Sequence, residues 1–241
     1  AKHLRQELGP PERMVEQRGT SAVVIAVNLE ELIAEAQRAD GIIEFAPRVG
    51  DFVAVGEPLF LLRGGATAIG DRDLRGQVAF GPERTIEQDS TFAFRVIVDV
   101  AVKALSQAIN DPTTAVVAID QLHRLLRSVG RRHLHDDGVY DRTGQLRVIV
   151  RTPDWDDFVQ LAYSEIRRYG ADNFQIARRL RAMSENLIQT LPESRHAALR
   201  KEMDLLDRTL EKLYALPEDL ALARVPDSQG LGGASWRQSQ E

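Results

Sequence analysis

The sequence predicts an α+β fold: a small β-rich, barrel-like N-terminal unit followed by a mainly α-helical domain with one β-hairpin. Three observations predict it. β-branched runs broken by glycine and proline turns fill residues 21–67, helical periodicity with capping residues fills most of 91–222, and a short alternating segment at about 138–151 interrupts the helices. A chain of 241 residues, 43% hydrophobic and 28% charged, has room for two modest domains at roughly 100–200 residues each. Residues 1–20 read as a linker, 68–90 as a connector and 223–241, rich in glycine, serine and glutamine, as a disordered tail. No repeat at a solenoid period is present.

The first element is the run Val23-Val24-Ile25 with Val27, a strand. Asn28 then caps a short helix, with Glu31 at the capping-box position and Leu32, Ile33 and Ala36 as its apolar stripe, until Asp40-Gly41 ends it. Short strands follow from Gly41 to Arg63, separated at Gly50-Asp51 and Gly56-Glu57-Pro58, where turns use glycine's freedom and proline's fixed φ. The pattern Val-Gly-Asp-x-Val followed by Gly-x-Pro-Leu is similar to half of a biotinyl or lipoyl carrier barrel. A carrier presents a lysine on a hairpin tip, and no lysine lies between Lys2 and Lys103. The resemblance therefore implies a structural barrel without the carrier's function.

After a connector with one short helix around Asp71 to Ala79, helical segments are expected at Phe92 to Gln107, Pro112 to Val129, Asp154 to Tyr169, Asp172 to Thr190 and Glu193 to Leu216, with caps at Asp111, Asp154 and Asp172. Leu199, Met203, Leu206, Leu210 and Leu213 space a heptad seam only about two heptads long, short of a coiled coil. Packing inside the domain and a subunit interface both satisfy it.

Lysine and arginine number 31 against 36 acids, a net charge of −5 that argues against nucleic acid as a partner. The absence of cysteine excludes disulfides, thiolate zinc sites and cysteine nucleophiles. No stretch approaches the roughly 18 apolar residues of a membrane span, and the start, Ala1-Lys2-His3-Leu4, has neither a signal-peptide core nor an initiator methionine. The chain is thus expected to be an excised or processed part of a longer protein. Nucleotide-binding glycine loops, a serine elbow and a zinc-protease helix are all missing, no carboxylate pair stands out as acid and base, and no cofactor is called for.

Polar features nevertheless recur in order. Arg95, Asp99 and Lys103 fall at i, i+4 and i+8 on an otherwise apolar helix, continued by Ser106 or Gln107. Such a stripe is either a solvated ion-pair row or, when covered, a costly buried network that binds an anion or transmits movement. Asn110-Asp111-Pro112-Thr113-Thr114 reads as a capped helix start whose free amides also suit an anion. From 120 to 135, four arginines (Arg124, Arg127, Arg131, Arg132) stand against Asp120, a solvated face or a contact for anionic lipid. His133-Leu134-His135-Asp136-Asp137 lacks the distant third ligand that would close a metal site.

Three segments together, Gly81 to Asp89, Arg95 to Lys103 and Ala104-Leu105-Ser106-Gln107-Ala108-Ile109-Asn110-Asp111-Pro112-Thr113-Thr114-Ala115, resemble a bacterial family of predicted membrane proteins known only as a domain of unknown function. The resemblance covers roughly Ala22 to Leu191 and takes in Gly50-Asp51-Phe52-Val53, Gly56-Glu57-Pro58-Leu59 and Glu165-Ile166-Arg167-Arg168-Tyr169-Gly170. Gln107 departs from it, standing where the family has proline. The resemblance implies several transmembrane helices before Ala1, and it brings no established reaction. Arg84, Thr85, Gln88, Asp89, Arg95, Asp99, Ser106, Asn110, Asp111, Pro112 and Thr114 are carried over as a ligand or interface seam without catalytic roles.

Two functions follow as expectations. One is a non-enzymatic domain on the cytoplasmic face of the cell membrane, partnered by its own transmembrane region, homo-oligomeric and in contact with anionic lipid, which assembles or regulates the membrane part along Arg95, Asp99 and Lys103. The other is a small-molecule or anion-binding or hydrolytic domain with Ser106, Asn110, Asp111 and Arg95 around a pocket between barrel and helices.

Overall fold

In the computed structural model, which describes residues 6–84, 89–134 and 137–233, the chain divides into two units. The first comprises Ala1–Phe92 with His135–Thr152, the second Ala93–Leu134 with Pro153–Glu241. Each has its own buried apolar cluster. The fold is α+β, as composition and periodicity predict.

The first unit contains β1 (Arg13–Glu16), β2 (Ala22–Val27), α1 (Leu29–Ala39), β3 (Gly41–Phe45), β4 (Phe52–Val53), β5 (Pro58–Gly64), α2 (Asp71–Arg75), β6 (Val78–Gly81), β7 (Gly138–Tyr140) and β8 (Leu146–Ile149). Its strands form two open sheets, ordered β1-β5-β3-β8-β7 and β4-β2-β6. They do not close into the expected barrel. Ile43, Phe45, Leu59, Phe60, Leu62 and Val148 bury one face of the larger sheet beneath Leu32 and Ala36 of α1. The capping rule holds at α1, where Asn28 Oδ1 accepts from the Glu31 amide at 3.3 Å.

Three expectations for this unit need correction. Residues 1–20 are not all linker, because β1 pairs antiparallel with β5 over Arg13 to Glu16. The helix expected from Asp71 stops at Arg75, and Val78 onwards pairs with β2, since Val78 and Phe80 pack against the β-unit's core. The hairpin, expected inside the helical domain, instead adds β8 parallel to β3, with Ile43 opposite Val148 and Glu44 opposite Ile149. Its apolar residues find their core there, and Arg147 ties it in place through Asp141 at 2.8 Å and Asp40, at the end of α1, at 2.9 Å.

The second unit is built from α3 (Ser90–Ala104, whose first turn lies in the first unit), α4 (Pro112–Gly130), α5 (Trp155–Gly170), α6 (Phe174–Thr190), α7 (His196–Leu213) and α8 (Pro217–Ala223). Phe94, Val98 and Ala101 of α3 pack with Ile119, Leu122, Phe158, Ile166, Leu180, Met183, Leu206 and Leu210. Phe94 and Phe158 rings lie 5.1 Å apart. The heptad positions Leu199, Leu206 and Leu210 are spent inside this core, while Leu213 is exposed.

The starts of α5 and α6 are set by side-chain caps. Asp154 and Asp157 form a reciprocal capping box at α5. At α6 the cap is Asn173, not Asp172: its Oδ1 accepts from Gln175 N at 2.9 Å and Ile176 N at 3.4 Å. Beyond Leu213 the helix expected to reach Leu216 breaks, and Pro217 opens α8 at its first turn. The tail is also ordered further than expected. Arg178, 1% exposed, donates to the carbonyls of Val225 (3.0 Å), Gly232 (3.0 Å) and Gly233 (2.8 Å). Asp227 accepts from the amides of Gln229, Gly230 and Gly232, closing the loop that Arg178 holds.

Candidate functional site

The sequence-defined seam divides between the two units. In the first, Asp89 caps α3: its Oδ1 accepts from Thr91 N at 3.0 Å, Thr91 Oγ1 at 2.5 Å and Phe92 N at 3.2 Å. The other oxygen, Oδ2, is buried without a hydrogen-bond partner among the described residues, and the Arg84 guanidinium stands 3.8 Å away. Gly50 makes this possible. At φ +91° it occupies the left-handed region, and a Cβ there would lie 2.2 Å from Asp89 Oδ2. Thr85 and Gln88, the remaining seam residues of this stretch, lie outside the described residues.

In the second unit α3 turns Arg95 toward α5. Its guanidinium bonds both carboxylate oxygens of Glu165, one at 3.0 Å, and its Nε donates to Asp99 Oδ1 at 2.8 Å. Two carboxylates on one guanidinium push its pKa further up, Glu165 contributing most. Lys103, the expected third member, is exposed and makes no ion pair among the described residues. The row is therefore a clamp between two helices with a spare cation one turn on. On the same side of α3, Val96 and Val100 are 39% and 48% exposed, while Asp99 is open to solvent over most of its side chain.

After α3 the chain makes a tight turn. Asp111 N donates to Ala104 O at 2.8 Å, Ser106 Oγ donates to Lys103 O at 2.8 Å, and Asn110 takes φ +46° to complete it. Asp111 then caps α4, accepting from Thr114 N at 3.1 Å and Thr114 Oγ1 at 2.5 Å. Those bonds, the Thr114 hydroxyl foremost, hold its carboxyl below the usual range. Asp111 and Thr114 thus satisfy one another at the helix start.

Ser106 and Asn110 face an open groove of about 810 Å³, shared with Leu105, Arg168, Tyr169 and Asp172. Gly170 lets the walls meet, since a Cβ there would sit 2.9 Å from Leu105 Cδ1 and 2.7 Å from Ile176 Cγ2. The seam residues Arg95 and Asp111 do not line it. Glu165, Arg168 and Tyr169 do join the seam's surroundings, although only their place in the family-like segment from Glu165 to Gly170 marked them in the sequence. Spacing along α3 alone gave no signal for a carboxylate 70 residues away.

Arg124 and Arg127 on α4 and Arg131 and Arg132 just past its end are exposed, whereas the half-buried Asp120 pairs with Arg179 at 2.7 Å. His123 is wedged between helices, with Nε2 at 2.9 Å from Asn186 Oδ1 and Nδ1 at 3.2 Å from an Arg179 nitrogen. Burial, with Arg179 adding to it, pushes its pKa down. Of the histidine-aspartate run, His135 and Asp136 lie outside the described residues. Among the described residues no cluster of three or more histidine, aspartate or glutamate side chains is spaced to hold a metal.

Over residues 2–186 the chain matches the family DUF2254, described as a predicted membrane protein. It is 30% identical over 203 residues to the uncharacterized proteins Mb1321c of Mycobacterium bovis and Rv1290c of Mycobacterium tuberculosis, a stretch that covers 81% of this chain and 38% of each relative. To the uncharacterized protein MT1328 of Mycobacterium tuberculosis it is 32% identical over 182 residues, 72% of this chain and 35% of that one. The chain therefore spans less than two-fifths of the length of these curated relatives. No solved structure matches it. Among the described residues no helix is long and apolar enough to cross a membrane.

Proposed function

This chain belongs to the DUF2254 family of predicted membrane proteins, and from that premise we propose that it is a non-enzymatic domain of a bacterial integral membrane protein, which assembles or regulates the membrane part through the outer side of α3. The observation that carries this reading is the pairing of exposed Val96 and Val100 with the clamped row Arg95, Asp99 and Glu165. The opposite side of α3 is already committed to the core. A partner surface docking on α3 gains apolar area from the valines and meets polar groups held in place, which lowers the ordering cost of association. Lys103, which makes no ion pair among the described residues, supplies a charge for that surface to match. In this reading the domain lies on the cytoplasmic face, as the family resemblance implies.

The test is made in the full-length protein. Val100→Asp places a charge in the proposed interface, and Asp99→Ala removes half of the clamp. Light scattering in detergent is expected to show a smaller assembly for Val100→Asp, with the melting temperature of this chain nearly unchanged because the position is exposed. Wild-type assembly size and wild-type behaviour of the membrane part in both variants would sink the reading.

The groove at Ser106 and Asn110 favours a second reading, a small-molecule or anion-binding domain. A ligand bound there raises the melting temperature by mass action. A thermal-shift series with nucleotides, inorganic phosphate and divalent cations tests it, and a shift abolished by Arg168→Gln is the result that supports it.

A further inference from the structure

We propose that the C-terminal half of α4 is a docking surface for an anionic bilayer, with Arg124, Arg127 and Arg131 as its contact row and Arg132 beside them. The inference takes the membrane setting from the proposed function but does not depend on the α3 seam.

Geometry comes first. Arg124 and Arg127 of α4 and Arg131, the cap just past its end that keeps right-handed helical backbone, are spaced by three and four residues, so they share one side, and all are exposed. Their guanidinium groups make no ion pair among the described residues, and the closest polar contact is from Arg124 to Gln121 Oε1 at 3.5 Å. Elsewhere in the same unit Arg95, Arg167, Arg179, Arg181 and Arg224 each pair with a carboxylate. Asp120, the one acid of α4, is turned to Arg179 and does not neutralise the row.

A cationic helix end has an ordinary explanation: basic side chains complement the negative pole of the helix. Here that task is already filled. Arg195 reaches in from the turn before α7 and donates to the carbonyls of Gly130 at 3.3 Å and Arg132 at 3.1 Å, while its guanidinium rests 5.6 Å from the Trp155 ring centroid. The four arginines at this end of α4 are surplus to the helix's needs. Their charge is also local, because the chain as a whole carries −5. A chain of net negative charge meets an anionic surface best through a local basic patch, which orients it.

Arginine forks match phosphodiester oxygens bidentately. Among anionic partners a bilayer is favoured because the family is one of predicted membrane proteins, and because an extended row of three to four cations presents charge to a plane rather than to a cavity.

The experiment is cosedimentation of this chain with vesicles of phosphatidylglycerol and phosphatidylcholine, against vesicles of phosphatidylcholine alone. Binding to the anionic vesicles only is expected, and its loss at about 1 M salt, where the Debye length shrinks to about 3 Å. Each basic residue near the surface contributes about fivefold, so Arg124→Gln, Arg127→Gln and Arg131→Gln combined should weaken partition about a hundredfold. A second variant, Arg200→Gln with Lys201→Gln on α7, removes exposed charge elsewhere and should bind nearly as the wild type does. Circular dichroism of both variants guards against misfolding. Equal losses in the two variants, equal binding to neutral vesicles, or no binding at all would overturn the proposal. So would tighter, arginine-row-dependent binding to a short DNA duplex than to vesicles, which would make the partner a nucleic acid. Asp99→Ala leaves the row intact, so retained vesicle binding in that variant separates this proposal from the α3 reading.

Discussion

Neighbouring helices α3 and α4 use arginine in opposite ways. On α3 the Arg95 guanidinium is shared between Asp99 and Glu165, and the cation is consumed in joining α3 to α5. On α4 the arginines point outward with no carboxylate among the described residues to answer them. A third case completes the series: Arg178 is wholly buried and bonded to three carbonyls of the segment that follows α8. The same side chain serves as a pin, a clamp or an unspent charge according to how many acceptors the fold supplies. Substituting each one should therefore cost stability in proportion to its internal partners.

The largest effect is expected at the pin. Arg178→Ala leaves three carbonyls without donors and a cavity beside α6, a loss on the order of 3 kcal/mol, limited because the segment can peel away and hydrate. Chemical denaturation reads the loss, and faster proteolysis between Val225 and Gly233 locates it. A stability within about 0.5 kcal/mol of wild type would show that the segment is not held by this side chain.

Arg95→Ala comes next. Its partners are substantially exposed, so the expected loss is about 1 kcal/mol, and high salt should narrow the gap to wild type. If Glu165→Ala alone reproduced none of this loss, the clamp between helices would be an ion pair within α3 only.

A smaller and pH-dependent effect attaches to His123, which sits between a donor, Arg179, and an acceptor, Asn186, and so is suited by the neutral ring. Its pKa is depressed in the folded chain. The contribution to stability is thus fully present above the unfolded value of about 6.5 and is lost as pH falls through the lower folded value. Denaturation midpoints of His123→Gln should fall less steeply than wild type below neutrality. An identical slope in both proteins would remove His123 from the account.

The smallest change belongs to the unspent charges. Replacing Arg124, Arg127 and Arg131 by glutamine should leave stability within about 0.5 kcal/mol per site, even as it removes vesicle binding. A large loss of stability would mean that these side chains have internal work after all.

What the sequence could reveal follows the range of the interactions. Capping by Asn28, Asp111 and Asp154 is written within four residues and was legible. β1 was not, because Arg13 to Glu16 offers two apolar side chains, too few for a period, and its strand exists through its pairing with β5. The placement of β8 beside β3 is set by a register between residues more than a hundred positions apart, which no local pattern encodes. At the site, the i, i+4 spacing of Arg95 and Asp99 was visible, while Glu165 was invisible from α3 because it arrives through packing of Phe94 on Phe158. Lys103 fitted the period but meets no carboxylate among the described residues. Arg178 and Asp227 hold a segment whose composition suggests disorder, since composition does not count hydrogen bonds.

The insertion of β8 between β3 and β7 also fixes an order of events. As the polypeptide leaves the ribosome, the larger sheet can form β1-β5-β3 early, but β3 keeps an unpaired edge until Leu146–Ile149 has been made. Residues 93–134, which belong to the other unit, are synthesised while that edge stands open. An open strand edge invites wrong partners, so the nascent first unit is exposed to misassembly for the time it takes to translate α3 and α4. For the same reason the first unit cannot be expressed as one uninterrupted stretch of its own sequence: a version lacking residues 93–134 must rejoin Phe92 to the hairpin by a linker, or lose the strand that closes β3.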